Sequence, residues 1–149
     1  MPVFRMGIVA LMLGLLNISP AWADNNAVDY LGLSVREAQL VQEPGIDQWR
    51  IKARISNDST INLVILGVVL PGLMHSTPFK VKVAEGRYAD LGSLTLAPEE
   101  QLDLSTSHIL MAFNGVGGLN RQPGDLTLKL HTTEGYLPFV AHLEDTTHR

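Results

Sequence analysis

From residue 29 onward apolar side chains recur mostly at every second position, and no stretch sustains an apolar stripe at helical spacing. Trp49-Arg50-Ile51-Lys52-Ala53-Arg54-Ile55 alternates cleanly, which predicts a half-buried strand. Asn57-Asp58-Ser59 follows as a polar turn cluster. Residues 61–70 are nearly all apolar, which predicts a central strand covered on both faces and ended by Pro71-Gly72. Phe79-Lys80-Val81-Lys82-Val83 alternates again. Ala97-Pro98-Glu99-Glu100 reads as a turn before a short strand, Gln101-Leu102-Asp103-Leu104, and residues 107–113 as a further strand. Leu126, Leu128 and Leu130 then share one face, with Thr127, Lys129 and His131 on the other. Glu134-Gly135 predicts a hairpin turn from which residues 136–143 return, a register that sets His142 opposite Thr127. Trp49, Phe113 and Phe139 read as core, Tyr30 and Tyr136 as amphipathic edge positions. The whole predicts an all-β antiparallel sandwich or small barrel without substantial helix.

The first 23 residues break this pattern. Arg5 precedes an apolar stretch from Met6 to Leu16, Ser19-Pro20 interrupts it, and Ala21-Trp22-Ala23 offers the small residues of a cleavage site. That apolar stretch is well short of the roughly 20 residues needed to span a bilayer. Residues 1–23 are therefore expected to be a signal peptide, leaving 24–149 as one soluble, exported, periplasmic domain. Cysteine is absent, so neither a lipid anchor nor a disulfide is available, and the core alone must hold the domain together.

Losing Arg5 leaves ten basic and fifteen acidic residues, a net charge of -5. That balance argues against a nucleic-acid or anionic-membrane partner, which would need a basic patch. Lys80, Lys82 and Arg87 form the densest basic group, and they read as a solvated strand face. The glycine-rich stretch 114–120 lacks the helix start and Lys-Ser/Thr of a phosphate loop. No Gly-x-Ser-x-Gly, Ser-x-x-Lys or His-Glu-x-x-His occurs, and Glu99-Glu100 sits in a polar turn with nothing apolar to make it an acid/base pair. The chain does not read as an enzyme.

The chemistry that stands out is soft. Two methionines lie beyond the leader, each near a histidine: Met74-His75, and His108-Ile109-Leu110-Met111. Thioether sulfur suits Cu(I), and imidazole suits copper in either oxidation state. Zinc at His75 and His108 would need an added carboxylate, and the sequence nominates none. His131 and His142 read as surface histidines.

From about Trp49 onward the chain resembles the periplasmic PCu(A)C-type copper chaperones. The likeness rests on three passages: Ile51-Lys52-Ala53-Arg54-Ile55-Ser56-Asn57-Asp58, a strand ending in a polar turn; Leu102-Asp103-Leu104-Ser105-Thr106-Ser107-His108-Ile109-Leu110-Met111, similar to a strand running into a His-x-Met signature; and Pro123-Gly124-Asp125-Leu126-Thr127-Leu128-Lys129-Leu130, similar to a Gly-Asp lead into the last hairpin. The resemblance implies a cupredoxin-like Greek-key sandwich that binds copper, Cu(I) in preference to Cu(II), and passes it by ligand exchange to a copper-accepting envelope protein. His75 and His108 stand 33 positions apart and fit the motif's two histidines. Its intermediate methionine position falls at Gly86-Arg87, and Leu110 stands where His-x-Met has its methionine. The implied metal site is therefore His75 and His108, with Met111 and then Met74 as auxiliary ligands. A flat strand turns Met111 to the face opposite His108 unless a bulge intervenes. The alternative from another class is a metal-free interaction module that uses an edge strand or the 114–120 loop.

Overall fold

The computed structural model describes residues 28–30, 32–43, 48–114 and 124–144. Residues 1–27, which include the expected signal peptide, residues 115–120 of the glycine-rich stretch and residues 145–149 lie outside the described residues. Eleven strands follow in chain order: β1 Val28–Tyr30, β2 Leu33–Gln42, β3 Gln48–Asn57, β4 Leu63–Val69, β5 Lys80–Ala84, β6 Arg87–Asp90, β7 Leu94–Leu96, β8 Gln101–Asp103, β9 Ile109–Asn114, β10 Gly124–Thr132 and β11 Gly135–Leu143. Among the described residues there is no helix, and so none long and apolar enough to cross a membrane.

The strands hydrogen-bond in the order β6-β5-β9-β3-β2-β11-β10-β4-β7, with β1 added to β2 and β8 to β3. The order ends at β6 and β7 without closing into a barrel, and it matches the all-β sandwich expected. Among the described residues all strand pairs are antiparallel except one. β11 runs parallel to β2, with His142 beside Gln39 and Leu143 beside Leu40, so the sheet is mixed. That pair joins the first long strand to the last.

The alternation that marked β3 is its burial: Trp49, Ile51, Ala53 and Ile55 all face the core. They meet Leu33, Val35, Leu40, Ile65, Leu70, Phe79, Met111, Leu128 and Phe139 in one apolar cluster. β4 is shorter than its apolar run and alternates between buried and half-buried, so its outer face is only partly covered. β2 conceals its alternation behind a bulge. Its pairing with β3 shifts between Arg36 and Gln39, and Glu37 takes a positive φ of 53°. Because a glycine carries no penalty in that conformation, Glu37→Gly is expected to leave stability unchanged or raise it by up to about 1 kcal/mol. A urea midpoint that instead fell by as much would show that the Glu37–Arg54 contact at 3.4 Å outweighs the backbone cost.

The last hairpin turns two positions earlier in its register sum than expected. Thr132 pairs with Gly135, so Thr133 and Glu134 form the loop and His142 lies opposite Asp125, not Thr127. Thr132 explains the shift. Its hydroxyl donates to the Gly135 carbonyl at 2.9 Å and accepts from the Glu134 N–H at 3.2 Å, closing the turn around itself.

Candidate metal centre

Leu70, Pro71, Gly72 and Leu73 make a turn closed by the Leu73 N–H on the Leu70 carbonyl at 3.1 Å. Proline in the second position and glycine at φ 81° in the third give the type II pattern. Buried Leu70 precedes the turn and buried Phe79 follows the loop it begins, so both ends are anchored in the core. Between the anchors the chain is driven outward. Met74 is 100% exposed and His75 is exposed beside it. Thr77 brings the chain back to β4, exchanging two hydrogen bonds with Val68 at 2.9 and 2.8 Å.

His108 lies in a different place. It is exposed immediately before β9, and its carbonyl accepts from the Lys82 N–H at 3.0 Å. Met111 is fully buried in the core cluster, at 0% exposure. β9 pairs with β5 at Ile109 and Leu110 and with β3 from Met111 to Asn114, with no register shift in either ladder, and Met111 is turned into the core.

The register of β5 on β9 sets His108 beside Lys82. β5 runs antiparallel to β9, with Lys80 opposite Leu110 and Val81 opposite Ile109. Stepping back from Lys82 toward Lys80 therefore moves along β9 away from His108, and before Lys80 the chain leaves β5. There the chain has crossed to β4. What the fold brings to this loop, at Ser76, is His131, expected to be only a surface histidine. Its Nδ1 lies 3.0 Å from Ser76 Oγ, and its ring stacks on Tyr136 with centroids 4.7 Å apart and planes at 14°. His131 stands opposite Gly67 on β4 and Tyr136 on β11, so a row runs across the sheet from Tyr136 to the loop. Ser76 is 55 positions from His131, and no local signal in the sequence links them.

The other candidates are bound up in structure. Glu100 accepts from the Ala97 N–H at 2.7 Å and so closes its own turn, while Glu99 is exposed. Lys80 pairs with Asp90 at 3.0 Å, which offsets part of the basic face. His142 meets Asp125 at 3.2 Å on the surface. Among the described residues no group of three or more His, Cys, Asp or Glu could hold a metal ion.

No family model matches the chain, and no curated protein matches it in sequence. Solved structures do match in three dimensions. The apo PCuAC domain of PmoF2 superposes with a TM-score of 0.62 at 10% identity, covering 81% of this chain and 96% of that one. The apo PCuAC domain of PmoF1 gives 0.61 at 17% identity, over 79% and 98%. A copper-bound PCuAC domain from PmoF2 gives 0.58 at 13% identity, over 79% and 97%. The chain therefore has the fold of the PCuAC domains, as its three sequence passages implied.

Proposed function

We propose that this chain is a copper-binding domain of the cell envelope that accepts Cu(I) and yields it by ligand exchange to a copper-accepting protein. The observation that carries this reading is the match over most of the chain to a PCuAC domain known with copper bound. The donor chemistry agrees with it. Met74 and His75 offer a soft sulfur and an imidazole on an exposed, anchored loop, and His108 offers a second exposed imidazole. Met111 can contribute its sulfur only when β9 opens, because the core covers it. Exposed ligands with an incomplete shell favour exchange over retention, and no covalent bond in a substrate is broken. Export rests on the leader pattern of residues 1–23.

The test is a Cu(I) titration of the chain against a chromophoric chelator, beside a His75→Ala/His108→Ala double variant. Binding by the unaltered chain, weakened at least about tenfold in the double variant, is the expected result. Failure of the unaltered chain to compete for Cu(I) overturns the reading. What then stands is the metal-free module, favoured by β6. That strand is outermost in the sheet order and exposed at all four residues, with Tyr88 at 50% and neighbouring Val83 at 61% exposure. Such an edge can accept a further strand.

A further inference from the structure

We infer that His131 joins Met74 and His75 in one Cu(I) site, with Ser76 as its positioning residue; this rests on the copper-binding reading and gives that function its place on the molecule. The argument begins at Gly67. A side chain there would put Cβ 2.2 Å from the Thr77 carbonyl oxygen, so only glycine lets the segment of Ser76 and Thr77 lie directly against β4. His131 stands opposite Gly67, and with no side chain between them its ring reaches across to Ser76. The loop that carries Met74 and His75 is thereby tied to an imidazole of β10.

That imidazole is held as a metal-binding imidazole is usually held. In the tautomer whose Nδ1–H donates to Ser76 Oγ, the lone pair of Nε2 is free for a metal, and an outer hydrogen bond on the other nitrogen fixes the aim of a histidine ligand. Tyr136 stacks on the ring and removes its remaining freedom. On the loop side, Met74 is fully exposed, so its thioether is open to an incoming ion. It follows the type II turn of residues 70–73, on the loop between the two buried anchors. A thioether with two imidazoles is a soft, nitrogen-and-sulfur set that suits Cu(I). No carboxylate cluster accompanies it among the described residues, so the set does not suit a hard cation or a four-coordinate zinc site. His108 has no part in it.

The experiment uses the full chain and Cu(I) itself, in competition with a chromophoric chelator, for His131→Ala, His131→Gln, His75→Ala, Ser76→Ala and His108→Ala. Circular dichroism confirms that each variant is folded, and His131→Gln, which keeps a polar group toward Ser76, stands in if His131→Ala does not fold. His131 and His75 replacements are expected to weaken Cu(I) binding at least about tenfold, Ser76→Ala less, and His108→Ala by under twofold. X-ray absorption of the Cu(I) form is expected to show one sulfur neighbour, absent in Met74→Leu. Cu(I) binding unchanged in the His131 variants, or lost in His108→Ala alone, overturns this inference while copper binding stands. No Cu(I) binding by the unaltered chain overturns both.

Discussion

Asn57→Leu is expected to lower the unfolding free energy by about 3 kcal/mol, read as a shift of the urea midpoint, and the melting temperature by about 10 °C. Asn57 is wholly buried at the end of β3, and every polar atom of its side chain is used. Nδ2 donates to the carbonyls of Ile61 at 2.7 Å and Leu96 at 2.9 Å, while Oδ1 accepts from the Ser59 N–H at 3.0 Å and the Ser59 hydroxyl at 2.6 Å. Its backbone pairs with Glu100 and Glu99 at 2.9 and 2.8 Å. One residue thus joins β3, the loop after it, β7 and the turn before β8. Leucine fits the volume but orphans the Leu96 carbonyl and frees the loop, and each buried orphan costs about 1–3 kcal/mol. Asn57→Asp is expected to be at least as harmful, because a carboxylate would face two carbonyl oxygens. A loss below about 1 kcal/mol in both variants would show that water replaces the asparagine.

Gly67→Ala is expected to cost about 2–4 kcal/mol and to weaken Cu(I) binding with it. The new Cβ would lie 2.2 Å from the Thr77 oxygen and 2.9 Å from its carbonyl carbon, both backbone atoms that cannot swing aside. Relief requires the Thr77 segment to leave β4, breaking its two hydrogen bonds with Val68 and withdrawing Ser76 from His131. Gly92→Ala is the control: its Cβ meets nothing within 4 Å, and a change within about 0.5 kcal/mol is expected. If Gly67→Ala unfolds at the unaltered urea midpoint, the close approach of the loop to β4 is not a constraint. Stability lost with Cu(I) affinity retained would separate the fold's need for this glycine from the site's.

Much of the fold was legible in the chain because burial has a local signature. β3, β10 and β11 announce themselves by alternation that their burial follows, and polar turns bound them; β5 alternates in sequence, yet Val81 is only half-buried and Val83 is exposed. β2 was not legible, because the bulge at Glu37 shifts its buried side chains out of a strict period of two. β6 was not legible either: with all four residues exposed it has no apolar face to read. Asn57 passed for the first residue of a turn, and only its burial shows it to be the hub of four segments.

The site follows the same division. Sequence located the soft donors, Met74 beside His75 and Met111 near His108, and the alternation rule already turned Met111 away from His108. The core holds the Met111 sulfur, and neither ladder of β9 shows a register shift. The two histidines matched a motif by their spacing along the chain, yet spacing carries no information about which strands meet. His131 lay on the outward face in either reading, and its tie to Ser76 depends on β10, β4 and the Thr77 segment lying side by side.

By itself, then, the sequence determined the strands with a clean period, the faces they bury and the chemical softness of the available ligands. Tertiary structure decided the parallel closure of β11 on β2 and the approach of His131 to Ser76 in the loop that carries Met74 and His75. The physical reason is that facing is set by the pleat, residue by residue, within one strand. Neighbourhood is set by register between strands that are remote in sequence, and a single bulge or missing Cβ changes it without disturbing the local pattern.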